Sequence, residues 1–92
     1  MSGYEAELRA GLRDTGIPQR MHEGICGYVL QGIQNGSFLT AVFSNDLADA
    51  AGRADAENQS LLYEYAVFLI NYVPIGAWGS LEKVREWKGI EN

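Results

Sequence analysis

The chain has 92 residues, 47% of them hydrophobic, and a net charge of −5 from seven basic and twelve acidic side chains. This length makes one domain, 1–92, able to bury roughly 60–65% of its unfolded surface, and the composition is that of a globule, not a disordered segment. The five arginines and two lysines are scattered, with only Lys83, Arg85 and Lys88 close together, so the clustered basic face that nucleic acid requires is missing.

Cys26 is the only cysteine, which excludes an internal disulfide and a thiolate metal cluster. The longest apolar run, around "YAVFLINYV", is too short to span a bilayer. The leading "MSGYEAELRAGLRD" is charged and lacks the apolar core of a signal peptide. A cytoplasmic protein without a membrane partner is the expectation.

In chain order, Tyr4, Leu8 and Leu12 form a narrow stripe at spacing four, predicting a surface helix over 4–14, or one that docks on a neighbouring subunit, ended at Thr15-Gly16. Pro18 suits the first turn of a second helix running to about Gln34, with Met21, Ile25, Tyr28, Val29 and Ile33 at helical period. Gly24, Gly27 and Gly32 each cost that helix roughly 1 kcal/mol against alanine, so a closely approaching backbone is expected there.

Asn35-Gly36 stops this helix and Ser37 opens a third. Its apolar face is Phe38, Leu39, Val42, Phe43 and Leu47, and it fades near Arg53. Asp55 reads as the N-cap of a fourth helix, with Glu57 in its first turn, continuing to about Tyr72 and ended by Pro74. That helix is apolar nearly all round, which a small chain cannot easily cover, and a homo-oligomer is the inference. Ser80 caps a fifth helix to Lys88, with Leu81, Val84 and Trp87 or its neighbours inward and Gly89 at its end. The expected fold class is all-α, a compact bundle of about five short helices.

Two Gly-Ser helix starts, Gly36-Ser37 and Gly79-Ser80, carry the candidate chemistry. The first turn of a helix offers free N–H groups and partial positive charge to an anion, and glycine admits close approach. The commonest use of serine at such a position, and the expected one for either site taken singly, is to cap its own helix. The lysine and longer glycine pattern of a phosphate loop are absent. Trp78 in the loop "PIGAWGS" can stack on a base, anchor in a partner's pocket or fold back on the core.

Asn45 stands at a mid-helix position that propensity disfavours, suggesting a hydrogen bond to a loop or ligand. Arg53 is one turn from Asp49 and can pair with it. His22 and Cys26 share one helical face, but no orienting third group or oxyanion site accompanies them, and two ligands do not make a zinc site. No catalytic residue, metal site or cofactor is expected.

The run "GSFLTAVFSNDL", then "RADAEN", "FLINYVP" and "WGSLEKVREW", resembles a group of small proteins of tailed bacteriophages and prophages. The resemblance covers about Ile17 to Lys88, and the recurring pieces here are Gly36, Ser37, Phe38, Asn45, Asp46, Arg53, Asp55, Asn71, Trp78, Gly79 and Ser80. It implies a phage origin, and through that a role against host immunity in the host bacterial cytoplasm.

The expected function is a non-enzymatic phage protein that sequesters a small nucleotide-derived signal. Its ligand-binding residues would be Gly36, Ser37, Phe38, Asn45, Arg53, Trp78, Gly79 and Ser80. The alternatives are direct inhibition of a host defence protein, of the anti-CRISPR type, where acidic residues and exposed aromatics meet a basic surface, and a structural or accessory phage protein.

Overall fold

A computed structural model describes residues 3–91. It is all-α, as expected: seven α-helices and two 3-10 turns, with no strand among the described residues. Two of the five expected helices are each divided in two, and the divisions have specific local causes.

Helix α1, Gly3–Asp14, turns its stripe into the fold, where Leu8 and Leu12 are fully buried. It lies against α2, His22–Gln31, and α6, Leu62–Tyr72. Gly11 permits the close approach to α6, because a Cβ there would sit 2.5 Å from Cγ of Tyr72. The Tyr4 hydroxyl donates to the Tyr72 carbonyl. The narrow stripe of α1 is thus covered by this chain's own helices.

Pro18 opens a 3-10 turn, Gln19–Met21, and not α2 itself. Helix α2 stops at Gln31, short of the expected Gln34, because Gly32 adopts the left-handed conformation at φ +74. Ile33 therefore leaves the helical face and is 57% exposed. The last carbonyls of α2 are taken up by the C-terminal segment. Trp87 Nε1 donates to the Tyr28 and Val29 carbonyls at 3.1 Å, and the backbone N–H groups of Ile90 and Glu91 donate to Val29 and Leu30.

The expected third helix is two, α3 at Ser37–Phe43 and α4 at Leu47–Arg53. Asn45 adopts φ +62, and the Asp46 carboxylate then accepts from Asp49 N at 3.0 Å as the cap of α4. The turn swings Leu47 off the buried face, leaving it 70% exposed.

The expected fourth helix divides likewise. Asp55 caps the short α5, Ala56–Gln59, by accepting from Asn58 N at 2.9 Å, and the chain turns at Ser60-Leu61 before α6 begins. Helix α6 contacts both α1 and α3. Its inner face is Tyr65, Phe68 and Leu69, all buried, while Tyr63 and Ile70 are 76% and 69% exposed on the opposite side.

After a 3-10 turn at Ile75–Ala77, helix α7, Leu81–Glu86, ends two residues before the expected Lys88. Ser80 caps it, accepting from Lys83 N at 3.1 Å. Val84 is buried and Leu81, expected inward, is 42% exposed.

Candidate functional site

Helix α3 carries most of the sequence-predicted positions. Its N-cap is Gly36, in extended conformation, and Ser37 is the first helical residue, so the serine does not cap α3 as expected. Gly36 supplies no side-chain cap to this first turn, and a Cβ on it would meet nothing within 4 Å. Phe38 packs inward, half-buried, edge-on to Tyr65 with ring centroids 5.4 Å apart. Thr40 Oγ1 donates to the Asn35 carbonyl at 3.3 Å, holding the loop that enters the helix.

The second Gly-Ser start lies at the other end of α3. Gly79 donates its N–H to the Phe43 carbonyl at 2.8 Å, closing the C-terminus of α3. Gln34, just ahead of α3, donates from Nε2 to the Val84 carbonyl in α7 at 3.1 Å. These two bonds set α3 and α7 antiparallel. Gly36-Ser37 and Gly79-Ser80 therefore open in opposite directions, about 10 Å apart by the rise of a seven-residue helix. They do not converge on one ligand within a single chain.

At Gly79-Ser80 the polar groups are already engaged. The Gly79 N–H serves Phe43, the Ser80 hydroxyl accepts from Lys83 N, and Lys83 Nζ donates to the Ile75 carbonyl at 3.2 Å. Gly79 is at φ +127, a conformation that requires glycine for the turn alone. Trp78 is half-buried against the core. Arg53, exposed on α4, is held by Asp49 at 3.0 Å. Asn45 is the left-handed residue of the α3–α4 turn, and this conformation accounts for an asparagine where propensity disfavours one inside a helix.

Two further arginines are engaged in the same way. Arg9 lies between Glu5 and Glu23 at 3.0 and 3.1 Å, and Arg20 reaches Asp55 at 2.7 Å and Glu57 at 3.1 Å. The backbone N–H of Asn58, with Arg20 beside it, holds the Asp55 carboxyl below its ordinary pKa. The Cys26 thiol is 3% exposed and burial raises its pKa, which opposes a reactive thiolate. Its helical neighbour His22 is hydrogen-bonded through Nε2 to the Ile17 carbonyl at 2.7 Å. Among the described residues no group of three His, Cys, Asp or Glu side chains could hold a metal.

Sequence reasoning missed one feature, an apolar cavity of about 60 Å³ between the α3–α4 turn and α6. Leu47, Ala50, Leu62, Ala66 and Leu69 contribute to its walls, and the turn adds the polar Asn45 and Asp46. The signal was present in "SNDLAD", where Asn-Asp followed by Asp three residues on marks a turn and a capped start. No helix is long and apolar enough to cross a membrane among the described residues. No family model, curated protein or solved structure matches the chain.

Proposed function

We propose that this is a non-enzymatic binding protein of phage type that blunts a host antiviral defence by direct contact with a basic surface of a defence protein. The observation that carries this reading is the charge arrangement. Among the described residues Arg9, Arg20 and Arg53 are each engaged by carboxylates of the same chain, and the sequence carries a net charge of −5. Such a surface steers toward a basic protein and disfavours phosphate.

One observation favours sequestration of a nucleotide-derived signal as the second reading: the start of α3 has no side-chain cap and open space at Gly36. The two modes separate in one pair of measurements. Direct contact predicts co-purification with a defence complex, weakened by salt, and no thermal shift with a broad panel of cyclic and linear nucleotides. A nucleotide that raises the melting temperature, with no complex recovered, would overturn direct contact and support sequestration.

A further inference from the structure

The outer face of α6 is unusual for this surface. Tyr63, Ala66, Val67 and Ile70 follow helical spacing, and all but the half-buried Val67 are exposed. No charged residue lies on this stripe. Glu64 flanks it, half-buried, and the exposed Asp46 lines the cavity at its side, its carboxylate already accepting from Asp49 N. Ala66 also lines the cavity together with the exposed Leu47, so the surface continues from α6 across to α4, apolar but for Asn45 and Asp46 of the intervening turn.

We infer that this face binds a second copy of the chain, with the two α6 helices packed antiparallel about a two-fold axis near Ala66. Three features select that occupant. The stripe is large–small–large, Tyr63, Ala66 and Ile70, so a two-fold sets Tyr63 of one copy over Ile70 of the other, and the patch is complementary to itself. Two chains of net charge −5 repel wherever their carboxylates face each other, and this stripe offers no charge to oppose. A basic partner finds no carboxylate to pair with on the α6 stripe itself.

Area is the third consideration. A stable interface takes about 800 Å² from each partner, roughly one-sixth of this chain's 5126 Å² surface. A single helix stripe, about 16 Å long for the eleven residues of α6, falls short of this alone. The continuation over the cavity to the exposed Leu47 extends the patch from α6 onto α4.

The test is sedimentation equilibrium of the full chain over a wide concentration range. The weight-average mass should rise about twofold to that of two copies. Ile70→Glu, at an exposed position, should return it to one copy with the helical circular dichroism and melting temperature of the monomer retained. Single Tyr63→Cys and Ile70→Cys proteins, mixed and oxidised, should cross-link to each other faster than to themselves. One-copy mass at every concentration, any mass other than that of two copies, or a dimer indifferent to Ile70→Glu would overturn the inference. Preferential cross-linking of like to like would overturn the antiparallel arrangement. No host protein enters these measurements, so their outcome is independent of the proposed defence target.

Discussion

The Tyr65 hydroxyl donates to Asn58 Oδ1 at 2.7 Å, across the turn that separates α5 from α6. Both residues are almost fully buried, at 2% and 3% exposure. The bond ties α5 to α6 across the turn at Ser60-Leu61, with Asn58 turned inward. Tyr65→Phe should cost about 1–3 kcal/mol, because the asparagine carbonyl then remains buried without its donor. Urea titrations of Tyr65→Phe, Asn58→Ala and the double variant should show strong non-additivity. Additive costs would mean that the bond contributes nothing of its own.

Gly11 tests the contact between α1 and α6. On an isolated helix, Gly→Ala stabilises by about 1 kcal/mol. Here the new methyl would meet the Tyr72 ring, which is stacked on Phe68 with centroids 5.9 Å apart and cannot retreat freely. Overpacking of this kind costs about 1–3 kcal/mol, so the packing term should win and Gly11→Ala should lower the melting temperature. Removing the ring in Gly11→Ala/Tyr72→Ala should make the alanine less harmful than in the parent. A Gly11→Ala protein more stable than the parent would show that α1 does not pack this closely.

These two contacts also show what the sequence can and cannot disclose. The all-α class, the Asp55 and Ser80 caps and the buried stripe Leu8-Leu12 follow from local spacing and capping chemistry, and the structure contains them. The break at Asn45 goes with one residue's backbone conformation, and the break at Ser60-Leu61 is spanned by a bond to Tyr65; periodicity registers neither. The closing of α2 by Trp87, Ile90 and Glu91 joins residues some 60 positions apart, beyond any local pattern. The Gly-Ser pair looked alike in sequence, yet only Ser80 caps its helix, and the two starts face opposite ways. Relative direction is a tertiary property, and helical period does not specify it.

Alkaline pH should unfold the protein through its buried tyrosines. Tyr28 is 1% exposed, donates to the Ala77 carbonyl at 2.6 Å, and burial pushes its pKa up to about 12 from 10.0. The folded state therefore holds this proton more tightly than the unfolded chain. The stabilisation is fully present below about pH 10 and is lost as pH rises toward about 12. Each such tyrosine contributes a slope of at most about 1.4 kcal/mol per pH unit in that window. Burial raises Tyr65 in the same direction. Tyr28→Phe should start from a lower stability and lose less of it across the window, as read by urea titration at a series of alkaline pH values. An unchanged slope would mean that Tyr28 ionises as readily folded as unfolded.

Asn45 separates a structural from a recognition role at the α3–α4 turn. Its φ of +62 is a conformation that asparagine tolerates, glycine adopts freely and alanine resists. If the turn is its whole purpose, Asn45→Gly should keep the parent's stability within a few tenths of a kcal/mol, and Asn45→Ala should lose about 1 kcal/mol. Binding should be retained by the glycine variant, because the turn that seats Asp46 over Asp49 N is preserved. A glycine variant that folds as stably as the parent but no longer engages its partner would instead assign the Asn45 amide to recognition. The comparison works because the two substitutions remove the same amide and differ in backbone strain alone, so stability reads the turn and binding reads the side chain.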